Sequence, residues 1–201
     1  LIDTWETENG LPENSATAMV QTPDGYLWFG TFNGLVRFDG VKFTVFDPAN
    51  TPQLPGASVV NLHLDKAGRL WVSTGKGLVS LKDGRWTAFG VDRGWTADYV
   101  RTFSEGAGKL FATSFNGKVF QFHGERFQEL PPPPGQAGKG YFGHVDDAGV
   151  LWVVQHRFFG SWDGQRWNSV APADTLFRDQ NVGAGPARDG AVWVLDLSRL
   201  R

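Results

Sequence analysis

The side chains in this chain of 201 residues that could bind or transform a ligand are few, and they stand apart in sequence. Trp95 lies in the segment GVDRGWTAD, and an indole with an open face suits the flat apolar side of a sugar ring. The run His156, Arg157 and Phe158 sets two hydrogen-bond donors beside an aromatic ring, a group able to hold a polar or anionic ligand. Lys76, Phe115 and Asn116 add an ammonium, a ring and an amide. These residues form the candidate ligand-binding set.

Catalytic and metal chemistry find less support. His63, His123, His144 and His156 include no pair at the i, i+2 or i, i+4 spacing that ligates a metal, and no linked acid pattern of a metal site accompanies them. Asp24, Asp65 and Asp147 precede an aromatic residue by 4, 6 and 5 positions. A glycosidase needs two carboxylates facing each other across a cleft, whereas these acids fall in turn sequences. There is no cysteine, no Ser/His/Asp arrangement and no glycine-rich phosphate loop. The pattern assigns no catalytic residue, no metal and no cofactor.

What must position the candidates is a repeat. Trp28, Trp71, Phe111, Trp152 and Trp193 follow one another at intervals of 43, 40, 41 and 41 residues. Each sits behind an Asp/Gly-rich turn: TPDGYLW, DKAGRLW, EGAGKLF, DDAGVLW and RDGAVW. A second turn follows at Asp39-Gly40, Asp83-Gly84, His123-Gly124 and Asp163-Gly164, and Asp-Gly predicts a type I′ hairpin because both central residues need positive φ. A period in this range with strand signals predicts an all-β propeller, each blade a four-stranded sheet covered by its neighbours. The repeats run over approximately 14–46, 58–89, 99–130 and 140–170, with a partial fifth at 181–201. Residues 2–7, with Ile2 and Trp5 three apart, read as the outer strand of a closing blade. The chain thus reads as the leading part of a larger propeller of about seven blades.

Within each blade, strands A to D alternate in direction. The B-to-C turns and the D-to-A connections therefore share one end. Lys76, Phe115, Asn116 and the 156–158 run fall in B-to-C turns, and Trp95 falls in a D-to-A connection. Of the nine tryptophans, Trp95 alone is out of register with the repeat. The bland alternatives are an indole that pins its loop and, at Phe158, a ring that fills the core.

Composition limits the partners. The formal net charge is -2, with 19 Lys and Arg scattered among 21 Asp and Glu and no basic block to neutralise a run of phosphates, which argues against nucleic acid. No apolar run approaches the roughly 18 residues that span a bilayer, so no direct membrane insertion is expected of this segment. Open blade edges could support self-association.

The stretch NGLPENSATAMVQTPDGYLWFGTFNGLVRFDGVKF resembles the two-component regulator propeller repeat, in its NGLP, DGYLWFGT, GL and RFDG elements. The likeness continues through Asp65 to Phe89 and weakens beyond. The third repeat has Phe111 for Trp and Lys118 for Leu35 and Leu78; the fourth loses the Gly-Leu pair, giving QHRFFGSW. The resemblance implies a periplasmic ligand-sensing domain of hybrid histidine kinases and related bacterial receptors, non-enzymatic, with a small-molecule ligand such as an oligosaccharide. The rival readings are a propeller lyase or hydrolase and a protein-interaction scaffold.

Overall fold

A computed structural model describes residues 4–134, 140–155, 158–170, 182–186 and 192–196. Four four-stranded antiparallel sheets follow one another in chain order. The first is β1 (Ala16–Gln21), β2 (Leu27–Thr31), β3 (Gly34–Phe38) and β4 (Phe43–Phe46). The second is β5 (Val59–Leu64), β6 (Leu70–Thr74), β7 (Gly77–Lys82) and β8 (Arg85–Phe89). The third is β9 (Val100–Gly106), β10 (Lys109–Ser114), β11 (Val119–His123) and β12 (Arg126–Glu129). The fourth is β13 (Gly140–Val145), β14 (Leu151–Gln155), β15 (Phe158–Trp162) and β16 (Trp167–Ser169), and a two-stranded sheet pairs β17 (Val182–Pro186) with β18 (Val192–Asp196). Every sheet is a meander, each strand hydrogen-bonded to the next in sequence, as short turns between antiparallel strands require. The chain divides into two compact units, residues 1–92 with 98–100, and residues 93–97 with 101–201.

In the first unit the sheets stack face to face. Trp28, Leu35, Leu54 and Val59 bury against Leu62, Leu70, Val72 and Val79 in one cluster. Thr17 Oγ1 donates to the Val59 carbonyl at 2.9 Å, which ties the first sheet to the second. This approach needs glycine at position 30, where a Cβ would lie 2.7 Å from both Thr17 Oγ1 and a Val59 methyl. In the second unit Phe111, Val119 and Leu130 bury against Val145, Leu151, Val153, Phe158 and Trp162. There the buried Val145 amide donates to Ser104 Oγ at 2.6 Å. An apolar contact and a backbone tie thus recur in both units.

The strand-B aromatics occupy equivalent register positions but not equal burial. Trp28, Trp71 and Phe111 are 4, 0 and 2% exposed, Trp152 is half-buried, and Trp193 is 71% exposed. Burial at this position requires a further sheet on that face, and among the described residues none covers Trp193.

One sequence expectation changes. The Asp-Gly pairs do not all make the same turn. Asp83 and Gly84, with φ of 50° and 72°, form the type I′ hairpin. At Asp39-Gly40 and Asp163-Gly164 only the glycine has positive φ, and the loop widens to four residues. Asp39 Oδ1 there accepts from the Val41 and Lys42 amides, and Asp163 Oδ1 from those of Gln165 and Arg166, so the aspartate closes the turn with its side chain. The N-terminal segment packs on the first sheet through its side chains. Thr7–Asn9 is a 3-10 turn capped reciprocally by Glu6 and Asn9, and Trp5 packs on Phe38 and Phe43 with ring centroids 5.1 and 6.2 Å away. Ile2 lies outside the described residues.

Candidate functional site

The B-to-C turns are built alike, and the device is a hydroxyl at the end of strand B. Thr31 Oγ1 donates to the Gly34 carbonyl at 2.9 Å and accepts from the Asn33 amide at 3.1 Å. Thr74 Oγ1 donates to the Gly77 carbonyl at 3.1 Å and accepts from the Lys76 amide at 3.2 Å. Ser114 Oγ accepts from the Lys118 amide at 3.0 Å and donates to Asn116 Oδ1 at 2.5 Å. The Phe32 amide donates outward to Glu13 Oε2 at 3.1 Å and the Gly75 amide to the Ser58 carbonyl at 2.9 Å, and the side chains at the tips face solvent: Phe32 and Asn33, Lys76, and Asn116.

In the second unit this end carries a polar group. The exposed Arg101 guanidinium stands 5.9 Å from the ring centroid of the half-buried Phe115, in cation–π range, with Asn116 next in the chain. Beside this turn Lys118 Nζ donates to Glu129 Oε2 at 3.0 Å and to Thr96 Oγ1 at 3.1 Å, and Thr96 Oγ1 donates to the same carboxylate at 2.7 Å. Burial raises the Glu129 pKa, but the Thr96 and Lys118 hydrogen bonds and the Lys118 charge outweigh it, so the carboxyl titrates below its ordinary value. A cation, an aromatic face and an amide at one turn can hold a hydroxylated or anionic ligand.

The predicted site residues divide. Lys76, Phe115 and Asn116 stand at turn tips. Trp95 is a correction: it is 3% exposed and packs on Phe120 and Phe127, with centroids 4.4 and 5.2 Å away, so no indole face is open to a ligand. The backbone before it is pressed equally hard, since a Cβ on Gly94 would lie 1.9 Å from the Phe127 carbonyl oxygen. The loop pin wins because the third sheet needs an aromatic cover over Phe120. Phe158 is a second correction: it is 3% exposed in the core cluster with Phe111 and Leu151, the space-filling role. His156 and Arg157 lie outside the described residues.

Sequence reading missed Phe32, Asn33 and Arg101. A signal for the first two was present, since Phe32-Asn33-Gly34 repeats Phe115-Asn116-Gly117. Arg101 carried none, because its pairing with Phe115 joins different strands.

At the opposite end the acids are structural. Asp65 Oδ2 accepts from the Trp71 indole N–H at 2.9 Å and its Oδ1 from the Arg69 amide at 2.8 Å. Asp146 Oδ2 accepts from the Trp152 indole at 2.8 Å and its Oδ1 from the Val150 amide at 2.9 Å. In the first sheet Thr22 Oγ1 accepts from the Trp28 indole at 3.2 Å. The anchor stands six residues before its indole in all three, so in the fourth repeat it is Asp146 and not Asp147. Burial raises the Asp146 pKa, but the Trp152, Val150 and Ala148 N–H bonds and the His144 charge outweigh it and leave the carboxyl below its ordinary value. Asp163 is held at about 2 by the Asn168 amide and the Arg166 and Gln165 N–H groups. Among the described residues no three His, Asp or Glu side chains gather to hold a metal ion. No helix among them is long and apolar enough to cross a membrane.

Comparison with known proteins agrees with this geometry. Residues 10–33 and 53–76 match the sequence profile of the two-component regulator propeller. The extracellular domain of one hybrid two-component system of B. thetaiotaomicron superposes with a TM-score of 0.64 at 20% identity, covering 76% of this chain and 22% of that one. A second such domain from B. thetaiotaomicron gives 0.67 at 18% identity, covering 90% and 28%. Virginiamycin B lyase from Staphylococcus aureus gives 0.66 at 16% identity, covering 90% and 63%. The chain thus spans less than two thirds of the length of each. No match is found among curated proteins. These likenesses show the fold: the sheets are β-propeller blades, and residues 10–33 and 53–76 match the two-component regulator propeller repeat.

Proposed function

We propose that this chain is a ligand-sensing propeller region of an extracytoplasmic bacterial receptor of the two-component type, that it does no chemistry itself, and that its ligand is a carbohydrate fragment. The observation that carries the reading is the match of residues 10–33 and 53–76 to the regulator propeller. The structural likeness to extracellular domains of two-component systems supports the location. The ligand site of this reading is the B-to-C turn tips, and the charge, ring and amide of Arg101, Phe115 and Asn116 support it. An aromatic face with hydrogen-bonding neighbours is the usual way to hold a sugar ring, and loops on a rigid sheet scaffold are where binding residues are placed. Sensing then requires that the ligand favour one of two receptor states by its difference in affinity.

Titration calorimetry of the chain against a panel of neutral and acidic oligosaccharides tests this. Saturable binding that Phe115→Ala and Arg101→Ala each weaken by about tenfold, the scale of one lost contact at 1.4 kcal/mol, is the expected result. Binding that neither substitution alters would move the site elsewhere, and no binding across the panel would remove the carbohydrate ligand.

The lyase is the second reading, favoured by the fold shared with virginiamycin B lyase. In the described part of this chain Asp39, Asp65, Asp146 and Asp163 are engaged in turns and indole anchors, which supports the sensor. Turnover of a streptogramin B substrate by the purified chain would reverse that judgement.

A further inference from the structure

The dipeptide Asn-Gly occurs three times, at Asn9-Gly10, Asn33-Gly34 and Asn116-Gly117. It is the pair most open to attack of the backbone on a side-chain amide, because a following residue without a Cβ lets its nitrogen approach the asparagine Cγ. Whether it arrives depends on what holds the two groups. The chain supplies its own controlled comparison, since Asn33 and Asn116 both lie in Phe-Asn-Gly, at the turn tips after β2 and β10, and both are exposed.

Two of the three are held. Asn9 Oδ1 accepts from the Glu6 amide at 2.8 Å, and the Gly10 amide donates to the Thr7 carbonyl at 3.0 Å. Asn116 Oδ1 accepts from Ser114 Oγ at 2.5 Å, and the Gly117 amide donates to the Ser114 carbonyl at 3.1 Å. Asn33 differs. In its turn the hydroxyl that corresponds to Ser114 is that of Thr31, which donates to the Gly34 carbonyl and accepts from the Asn33 amide. The Asn33 side chain is left without a hydrogen bond among the described residues. Gly34 belongs to the last pair of the β2–β3 ladder, Thr31 with Gly34, and terminal pairs are the first to open.

We infer that Asn33 is a site of spontaneous deamidation, with water as the co-reactant. The Gly34 nitrogen bonds to Asn33 Cγ, the Cγ–Nδ2 bond breaks, and the proton lost from the Gly34 nitrogen leaves with the amide as ammonia, which gives a cyclic imide. Water then opens the ring at either carbonyl. Breaking the bond from the Gly34 nitrogen to Cγ leaves aspartate, and breaking its bond to the main-chain carbonyl carbon leaves isoaspartate, with an extra carbon in the backbone. Either product sets a carboxylate beside Phe32, whose amide donates to Glu13 Oε2 at 3.1 Å, so the turn gains negative charge next to an acid already there. The inference concerns the turn alone and is independent of any ligand.

Incubation of the folded 201-residue chain in mildly alkaline buffer, followed by peptide mass spectrometry and ion-exchange separation of the more acidic product, tests it. Conversion at Asn33 should outrun that at Asn116 and at Asn9 by about tenfold. In guanidinium chloride, where the turns are lost, Asn33 and Asn116 should convert at one rate because their nearest neighbours are the same. Ser114→Ala removes the hydroxyl that holds Asn116 Oδ1, and should raise the Asn116 rate in the folded chain about fivefold while leaving Asn33 as it was. Asn33→Gln, whose longer side chain closes a ring less readily, should abolish the fast acidic product. Circular dichroism checks that both variants fold. An Asn33 rate at or below that of Asn116 in the folded chain overturns the inference. So do a difference that persists in denaturant and an Asn116 rate untouched by Ser114→Ala, since either would mean that the hydrogen bonds of the turn do not govern the reaction.

Discussion

The second and third blades have the same strand order and opposite ways of holding it. In the second, a four-residue turn from Asp65 carries a carboxylate that takes the Trp71 indole N–H and the Arg69 amide, and Trp71 is fully buried. In the third, Ala107 and Gly108, with φ of 48° and 73°, close the turn in two residues, and the aromatic is Phe111, which has no N–H to anchor. The acid-bearing turn and the indole are lost together, and the carboxylate six residues before Phe111, that of Glu105, lies within strand β9. A buried indole N–H without an acceptor costs about 1–3 kcal/mol, so neither half is useful alone. The repeated aspartate is thus part of the fold, and this is why an acid before each aromatic does not signal catalysis.

The largest test of that contrast removes the aromatic. Trp71→Ala should lose about 3–5 kcal/mol in denaturant unfolding, through a cavity in a site with no exposed surface. The discriminating pair is the exchange. Trp71→Phe leaves the Asp65 carboxylate without its indole and should cost about 1–3 kcal/mol. Phe111→Trp adds an indole to a site that is 2% exposed, where the residue six positions before it, Glu105, lies inside strand β9 and not in a turn, and should also destabilise by about 1–3 kcal/mol, from overpacking. A neutral or stabilising Phe111→Trp would break the coupling of anchor and ring.

A smaller effect comes from the anchors. Asp65→Ala should lose about 1–3 kcal/mol by leaving two N–H donors unmet, while the same change at Asp147, beside the true anchor, should stay within about 0.5 kcal/mol. Acid titration sharpens this at Asp146, whose carboxyl lies below its ordinary value in the folded chain. As pH falls the unfolded chain takes up this proton first, so the contribution is whole above about pH 4 and is lost as pH drops through the folded value. Asp146→Asn should therefore be less stable at neutral pH and show a shallower loss of stability on acidification. An unchanged acid limb, followed by tryptophan fluorescence, would count against the anchor.

Much of this fold is legible in sequence, because its period is long and its turn signals are strong. The spacing of Trp28, Trp71, Phe111 and Trp152 places strand B in each sheet, and the glycines place the turns. What escapes is whatever depends on cross-strand neighbours. Trp95 reads as a platform because it breaks the repeat, yet Phe120 and Phe127 stand beneath it and bury it. The Asp39 and Asp83 turns share a dipeptide and differ in loop length, since register with the next strand decides which turn fits. Arg101 and Phe115 meet only once β9 and the turn after β10 come to one end. Trp193 fits the repeat and is exposed all the same, because burial belongs to the neighbouring sheet and not to the residue.

The smallest effect is the most informative about the candidate site. Leu35 and Leu78 are 0 and 1% exposed just after the B-to-C turn, whereas the third blade has Lys118 there, paired with Glu129 at 3.0 Å with side chains 36 and 40% exposed. Solvent screens such a pair, and exposed ion pairs contribute about 0–1 kcal/mol. Lys118→Leu should accordingly change stability by less than about 1 kcal/mol, the lost pair being offset by apolar surface removed from water. If the third blade keeps its lysine for ligand binding, the same substitution weakens oligosaccharide affinity at calorimetry while the unfolding curve stays in place. If the lysine serves only to clamp Thr96 and the loop bearing Trp95, the curve moves by more than 1.5 kcal/mol, above the range for a screened pair, and affinity is unchanged.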